Sequence, residues 1–381
     1  MEKLRPLIPL FVTAALLIGA NSLHASLISM RAEFEGITTG GVGLISSAYY
    51  VGFAIGCLHV TQVLRAAGHI RTFAAFAAIA CASTILQVMF IDPWFWAGLR
   101  FVNGYGLAIL FTVIESWINS RVDNSIRART LSVYRYVDLS AATAFQYFLV
   151  LGIAGFDLFG IVAIALCLSL VPIALLDRSS PAPPDKVNIN LRSVFLISPL
   201  AAVGSVVVGM SNTVFRSLGP NYTQNLGFSL SESATFMAIG IIGGALLQYP
   251  LGQFSDKRDR RLGIMIAAGG GGLASLFLAT VSGHSLYAHL AGILFFGAFS
   301  MPLYSLCSAH ANDRAGPGQY AMISAGVLFF FGIGASIGPL LAGTLMQWFG
   351  PSMLFSYTAF IQLGFVAYTL LRMFHRPPAN P

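Results

Sequence analysis

The chain has 381 residues, of which 56% are hydrophobic and only 9% are charged. Ordinary soluble domains carry about 25% charged residues, so this composition excludes a water-soluble globule, whose surface it could not cover. The formal net charge of +7 would suit a nucleic-acid partner only if the basic residues formed one patch. They are instead distributed between apolar segments, and the sequence predicts no nucleic-acid binding.

Apolar stretches of about 20 residues, the length that crosses a bilayer as a helix, recur along the whole chain. They predict an all-α membrane protein with twelve transmembrane helices. The predicted spans are residues 7–30, 41–63, 72–91, 94–119, 130–153, 156–176, 194–218, 231–253, 262–282, 285–309, 319–346 and 350–373.

The connections between the spans differ in charge. An amino terminus in the cytoplasm places almost all of the basic connection residues on the cytoplasmic side and leaves only Arg31 on the other side. By the positive-inside rule, both termini are predicted to be cytoplasmic in a bacterial inner membrane. Met1–Ser26 also has the basic start, apolar middle and small-residue end of a secretory signal. Cleavage there would leave eleven spans and remove a segment that has a counterpart later in the chain.

That counterpart is part of an internal repeat. When the sequence is compared with itself at a shift of 191 residues, similar residues coincide. Asn21, for example, then falls on Asn212. The repeat predicts two parallel six-helix bundles, residues 1–176 and 194–381, joined by a cytoplasmic linker, residues 177–193, that is polar and proline-rich. The same shift also matches two pairs of glycines, Gly52 with Gly243 and Gly106 with Gly297.

A charged segment follows the eighth span, from Gly252 to Arg261. A small residue allows two helices to approach, and a carboxylate beside several cations favours a charge network in a short turn. The alternative is an ordinary basic cytoplasmic loop. The predicted gating residues are Gly252, Asp256, Lys257, Arg260 and Arg261.

This segment resembles the loop signature of the major facilitator superfamily, Gly-x-x-x-Asp-[Arg/Lys]-x-Gly-[Arg/Lys]-[Arg/Lys], with Asp259 in place of the second glycine. The copy in the first half keeps Gly68 but has Arg65 where the aspartate belongs. The resemblance therefore implies the family's charge relay in the second copy alone.

Three further segments resemble family patterns. Arg100-x-x-x-Gly104-x-Gly106 in span four is similar to a motif of proton-linked members. Residues 334–339 in span eleven are similar to a motif that exporters carry in span five, so the direction of transport stays open. Residues 100–120 are similar to the YcaD-like branch. The resemblance covers the whole chain and implies a secondary transporter working by alternating access.

Ionisable side chains within spans are candidate functional residues, because a charge at the bilayer centre costs about 2.5–3.5 kcal/mol. Glu115, Arg135 and Asp138 are predicted to form one network in which Glu115 binds and releases a proton, with Arg100 as a fourth coupling candidate. The alternative is a permanent salt bridge near the membrane surface. His24, close to the end of span one, is interpreted as solvated.

The resemblance implies a substrate cavity lined by spans one, four, seven and ten. Asn21 and Asn212 occupy equivalent positions and can bind either a substrate or neighbouring helices. The aromatic candidates favour an organic, partly apolar or ring-bearing solute. The predicted cavity residues are Asn21, Asn103, Phe111, Gln146, Asn212, Phe299 and Tyr304.

Together these features predict a monomeric, proton-coupled transporter of a small organic solute, with the bilayer as its other partner. No nucleotide-binding loop, metal cluster or nucleophile constellation is recognisable, so the chain is predicted to be no enzyme and to use no cofactor or metal. Three alternatives stay open: an uncoupled facilitator or uptake permease of the same fold; a membrane-embedded enzyme using Asp256 and Asp259; and a scaffold or receptor. The four cysteines, without metal or redox spacing, are interpreted as inert core residues.

Overall fold

A computed structural model describes residues 7–120, 124–152, 156–175, 190–281, 285–316 and 319–375, and the regular structure in these ranges is helical. A short 3₁₀ helix, Tyr147–Leu151, extends α5. The α-helices are α1 Ile8–Phe34, α2 Thr39–Ala67, α3 His69–Met89, α4 Pro93–Ser120, α5 Asn124–Gln146, α6 Asp157–Ala174, α7 Leu191–Ile197, α8 Pro199–Asn225, α9 Leu230–Asp256, α10 Arg260–Thr280, α11 Leu286–Ser300, α12 Leu303–Asn312, α13 Tyr320–Phe349 and α14 Met353–His375.

Each of the twelve predicted spans coincides with one long helix or with a broken pair of helices, so the all-α membrane fold is confirmed. Within the described residues, ten segments are long and apolar enough to cross a membrane, and α7 with α8 adds an eleventh if the pair is one span. The segment outside this set, α5, is long enough but carries Arg127, Arg129, Arg135 and Asp138.

Prolines interrupt two of the predicted spans. The pair α7 and α8 is bent by 110° at Ser198, so residues 194–197, predicted as the start of span seven, lie in the short helix α7, and the long helix of that span begins at Pro199. Proline lacks the N–H that would continue α7 but suits the first turn of α8. The Ser198 side chain caps α8 by accepting from the Ala201 N–H at 3.4 Å. In span ten, α11 ends before Pro302 and α12 begins after it.

The helices form two compact units, Met1–Ile37 with Ala48–Lys186, and Thr38–Ser47 with Val187–Pro381. In the first unit α1 packs on α5 and α6, and α3 packs on α4 and α6; in the second, α8 packs on α13, α9 on α11, and α10 on α14. The start of α2 groups with the second unit, where the Leu340 N–H donates to Ser47 Oγ at 3.1 Å. The predicted linker lies mostly outside the described residues, and the predicted domain bounds stay a prediction.

The helix bounds repeat along the chain. A shift of 191 residues carries the ends of α1, Ile8 and Phe34, onto those of α8, Pro199 and Asn225, and it carries α3 onto α10 in the same way. The fourth helix departs from this register, because Pro93 at the start of α4 corresponds to Leu286 at the start of α11, a shift of 193. The connection before α11 is therefore two residues longer than the one before α4.

Close glycine contacts support the revised register. In the first unit, a Cβ on Gly104 would collide with the carbonyl oxygen of Tyr49. In the second unit, a Cβ on Gly297 would collide with the carbonyl oxygen of Gly240. Tyr49 and Gly240 are 191 residues apart, and the two glycines are 193 apart. Gly297 thus corresponds to Gly104, and the predicted match with Gly106 was wrong. Nothing in the sequence marks the two extra residues in the connection before α11, so the constant shift of 191 was carried past them.

The same contact gives a stability prediction. Gly104→Leu should destabilise the protein by about 1–3 kcal/mol, the usual cost of overpacking, because its Cβ meets backbone atoms that cannot rotate away. The measurement is thermal unfolding in detergent. The matched control in the same helix is Gly98→Ala, since a Cβ at Gly98 has no described atom within 4 Å. Equal losses in the two variants would contradict the described α2–α4 contact.

The cysteines differ from the expected pattern. Cys307 is buried as predicted, whereas Cys167 is exposed. The Sγ atoms of Cys167 and Cys81 lie 3.2 Å apart across α6 and α3. Their distance of 86 residues in sequence concealed this contact, so their description as separate core residues was wrong.

Candidate functional site

Arg100 lies at the centre of a buried polar group in the first unit, which we call the α4 cluster: Asn21, His24, Tyr49, Gln87, Arg100 and Asn103. Arg100 is only 4% exposed. Its Nη1 donates to His24 Nδ1 at 3.3 Å, and its Cζ lies 4.3 Å from the centre of the Tyr49 ring. The cluster joins four helices, α1 to α4, around one cation.

His24 is 1% exposed, so its interpretation as a solvated residue was wrong. Because arginine can only donate hydrogen bonds, His24 Nδ1 is the acceptor in its contact with Arg100. The ring proton is then assigned to Nε2, which donates to Gln87 Oε1 at 2.7 Å. This network requires the neutral ring. Sequence reasoning missed Tyr49 and Gln87, whose positions carry no motif.

Several buried polar atoms of the α4 cluster have no hydrogen-bond partner among the described residues. They are Arg100 Nε, both side-chain polar atoms of Asn103, Gln87 Nε2 and Asn21 Oδ1. The Asn21 side chain lies close enough to Tyr49 to interact with it. Buried polar groups are nearly always satisfied in folded proteins, so this concentration of unpaired atoms marks the cluster as a candidate binding site.

Glu115 lies four turns further along α4, and its side chain is exposed. Among the described residues it forms no ion pair, while Arg135 and Asp138 on α5 pair with each other. Glu115 is nevertheless close enough to Asp138 and Tyr134 to interact with them electrostatically. The structure brings the three predicted residues to one region but does not join Glu115 to Arg135, and their role in coupling stays a prediction.

Two of the predicted cavity amides, Asn212 and Gln146, bond to neighbouring helices. Asn212 Nδ2 donates to the Ser300 carbonyl oxygen at 3.2 Å, and its Oδ1 has no described partner. The Asn21 side chain lies close enough to Tyr49 to interact with it, and its Oδ1 has no hydrogen-bond partner among the described residues. Gln146 Nε2 donates to Ser22 Oγ at 2.8 Å, and its Oε1 also has no described partner. Each of the three amides therefore has a side-chain carbonyl oxygen without a partner in the described part of the chain.

The predicted cavity aromatics pack within their own units. The Phe111 ring is 6.4 Å from that of Phe53, and the Tyr304 ring is 5.5 Å from that of Phe331. Phe299 lies against Gly270 and lines an apolar groove between α10 and α11. Whether any of them contacts a solute stays a prediction.

The charged segment after α9 forms a network in the second unit. Arg260 Nη1 pairs with Asp256 Oδ1 at 2.6 Å, and Arg260 also pairs with Asp313, which follows α12. Sequence reasoning missed Asp313, because it lies 53 residues from its partner. Lys257 caps the end of α9 through its backbone. No described atom lies within 4 Å of a Cβ built on Gly252, so the predicted close helix approach there was wrong.

Asp259 fills two roles where the signature has glycine. Its Oδ1 accepts from the Arg261 N–H at 2.9 Å and so caps α10, while Oδ2 pairs with Arg261 Nη2 at 2.8 Å. Partial burial raises the pKa of the Asp259 carboxyl, but the hydrogen bonds and charge of Arg261 outweigh burial and hold that pKa below its ordinary value. Asp256 and Asp259 are thus each engaged by an arginine, and neither is a free carboxylate of a catalytic pair.

The bridge from Arg260 to Asp313 is testable by charge exchange. Asp313→Arg should lower the melting temperature, because it replaces an attraction to Arg260 with a repulsion. Adding Arg260→Asp should recover only part of the loss, because it restores the pair with position 313 but breaks the pair of Arg260 with Asp256. The side chain of Asp313 is 49% exposed, so the loss from a neutralising Asp313→Asn is limited to about 1 kcal/mol. Additive effects of the two charge reversals in thermal unfolding would show that the residues do not interact.

Comparisons with known proteins show which protein family the chain resembles. The family model of the Major Facilitator Superfamily matches residues 201–381. The MFS-type transporter YcaD of Escherichia fergusonii is 23% identical over 99% of this chain and 98% of its own length. YcaD of an Escherichia coli strain is 25% identical over 98% of this chain and 97% of its own length. The chain is therefore similar to the major facilitator superfamily, through the family model in its second half and through YcaD over its whole length.

Solved transporter structures share the fold of this chain. The nucleoside transporter NupG superposes with a TM-score of 0.81 at 11% identity, over 97% of this chain and 99% of its own. A bacterial homologue of the human lysosomal transporter Spinster, in an inward-facing and occupied conformation, gives 0.77 at 13% identity, over 98% of both chains. The chain is a multi-pass protein of the inner membrane with the fold of these transporters, and its loop network occupies the segment that resembles the superfamily's signature.

Proposed function

We propose that this protein is a secondary active transporter that couples the movement of a small organic solute to proton movement by alternating access. The observation that carries the proposal is Glu115, an exposed carboxylate on the span helix α4 without an ion-pair partner among the described residues. A carboxylate within a span is costly, and a site that alternates between protonated and ion-paired states accounts for its presence.

Arg135 is the second element of the proposal. Its side chain is 52% exposed and, among the described residues, is paired only with Asp138 three residues further on, a surface contact worth less than about 1 kcal/mol. Such a weak pair can exchange partners at little cost. In the proposed cycle, Arg135 pairs with Glu115 in the state that releases the proton, and with Asp138 alone in the state that binds it.

The nature of the solute is proposed from two observations. Phe53 and Phe111 form an aromatic pair on α2 and α4, which favours a ring-bearing solute over an inorganic ion. NupG, which shares the fold, is a transporter of nucleosides, which are ring-bearing organic solutes.

We further propose that the protein works as a monomer with both termini in the cytoplasm. The distribution of its basic residues favours this orientation. A fluorescent protein fused after the last residue should then fluoresce.

The test of coupling uses the wild-type protein in proteoliposomes. A thermal-shift screen first identifies a solute that stabilises the purified protein. Its accumulation is then measured with and without an imposed pH gradient at fixed membrane potential. We expect accumulation above equilibrium only with the gradient. Downhill movement that ignores the gradient would favour the uncoupled facilitator instead.

A further inference from the structure

The guanidinium of Arg100 offers one particular edge to a ligand. Nη1 is occupied by His24, and one face of the plane is covered by the Tyr49 ring. The described residues form no hydrogen bond to Nε or Nη2. These two atoms make up the side-on edge with which arginine binds a carboxylate through two parallel hydrogen bonds. The cluster therefore orients Arg100 and leaves its carboxylate-binding edge without a protein acceptor.

No carboxylate of the described residues compensates the charge of Arg100. Among the described residues, the ionisable groups near enough to interact with it are His24, Tyr49 and Tyr50, and none of these is a carboxylic acid. A buried cation is ordinarily paired with an anion, because its desolvation is otherwise not offset. One helical turn away, Asn103 is 1% exposed and has both polar atoms of its amide unpaired.

The second unit has no charge at the position that matches the α4 cluster, and most of its residues there are apolar. In the register defined above, His24 corresponds to Phe215, Tyr49 to Gly240, and Arg100 to Ile293. These three counterparts also lie together, since a Cβ on Gly240 would lie 2.5 Å from Phe215 Cζ and 3.1 Å from Ile293 Cγ1.

Two of the three remaining counterparts are apolar as well, whereas Asn21 keeps a polar counterpart in Asn212. Gln87 corresponds to Leu278 and Asn103 to Phe296, and both apolar residues are fully buried. The fold thus packs this position without any charge in one unit, which means that helix packing does not require the α4 cluster in the other. A costly polar group that the fold does not need is the mark of a functional site.

We propose that Arg100 binds the carboxylate of an organic acid through its Nε–Nη2 edge, with Asn103 binding a neighbouring polar group of the same ligand. His24, Gln87 and Tyr49 are positioning residues that fix the guanidinium plane. This inference rests on the proposed transport function and assigns its solute to the organic anions. The bound carboxylate supplies the negative charge that the protein itself does not place beside Arg100.

The test compares acids with their neutral amides in thermal unfolding of the purified full-length protein in detergent. The probes are benzoate, phenylacetate and nicotinate, each beside its amide, at constant pH and ionic strength. We expect at least one acid to raise the melting temperature by about 2 °C or more, an increase expected when ligand binding favours the folded state, while its amide has no effect. The absence of a shift with all three acids, or equal shifts with acid and amide, would overturn the proposal.

Arg100→Met separates binding from structure. It keeps most of the side-chain volume, so the melting temperature without ligand should stay unchanged or rise, while the shift caused by the acid should disappear. Arg100→Lys, which keeps the charge but not the two-atom edge, should retain a smaller shift and serves if the Met variant does not fold. Arg216→Met, at another arginine within a span helix, should leave the shift intact. An acid-induced shift that survives in Arg100→Met would refute the assignment.

The outcomes also separate this inference from the proposed function. Gradient-driven accumulation of a neutral solute, equal in the wild type and Arg100→Met, would overturn anion binding and leave proton coupling standing. Acid-specific stabilisation that requires Arg100, without any effect of the pH gradient on accumulation, would support the binding site and refute the coupling.

Discussion

Asp259→Ala should destabilise the protein by about 3–4 kcal/mol, the largest stability loss expected from the charged loop. The change removes the cap of α10, worth about 1 kcal/mol. It also removes the carboxylate paired with Arg261, whose side chain is 6% exposed while that of Asp259 is 25% exposed. A pair of this intermediate burial lies between the roughly 1 kcal/mol of an exposed pair and the 3–5 kcal/mol lost on breaking a buried one. Thermal unfolding in detergent measures the loss.

Two variants divide the effect of Asp259 into its parts. Asp259→Asn keeps a capping side chain but removes the charge, so it should lose about 2 kcal/mol. Asp256→Ala, at a carboxylate whose side chain is 63% exposed, should lose about 1 kcal/mol or less. If Asp259→Ala costs no more than Asp256→Ala, the contacts of Asp259 with Arg261 do not stabilise the loop.

The charge of Asp259 also predicts a dependence on pH. Its pKa in the folded protein lies below its ordinary value, so its contribution to stability is fully present above the pKa of the unfolded chain, about 3.9. The contribution is lost as the pH falls through the lower, folded pKa. The difference in melting temperature between the wild type and Asp259→Asn should therefore be constant from about pH 8 to 5 and should narrow below about pH 4. A difference that changes between pH 8 and 5 would assign the effect to another group.

The spans could be predicted from the sequence because each depends on local composition, about 20 apolar residues between polar breaks. The bend at Ser198 could not be located that way, since residues 194–197 continue the apolar run without a polar break. The repeat was visible from Asn21 and Asn212, but the two extra residues before α11 fall in a short connection without a motif. Composition therefore determines that a helix exists better than it determines where that helix begins.

The candidate site was harder to predict from the sequence than the spans, because it depends on how the helices are rotated against each other. Arg100 was recognisable as a charge within a span, but its contacts come from His24, 76 residues earlier in the chain, and from Tyr49 on a second helix. The bridge between Arg260, at the start of α10, and Asp313, directly after α12, likewise joins residues that are far apart in sequence. Residue type alone marks such groups as unusual, and only the packing of the helices identifies their partners.

Glu115→Gln should abolish the accumulation of solute driven by a pH gradient while downhill exchange survives. Glutamine keeps the size and hydrogen-bonding capacity of the side chain but cannot bind or release a proton. Without that step, the two orientations of the transporter exchange solute but gain nothing from the gradient. The measurement is uptake into proteoliposomes with and without the gradient, using the solute found by thermal shift. Unchanged accumulation in this variant would exclude Glu115 as the coupling residue.

A control variant and a second position make the result specific. Asp157→Asn, at an exposed carboxylate in the first turn of α6, removes an acid of the same unit and should leave accumulation intact. Arg135→Gln should weaken coupling without removing it, because Glu115 still binds a proton but loses the cation that favours its release. If both Glu115→Gln and Arg135→Gln abolished downhill exchange as well, the two residues would be needed for the conformational change itself, and proton binding by Glu115 would no longer explain their presence in α4 and α5.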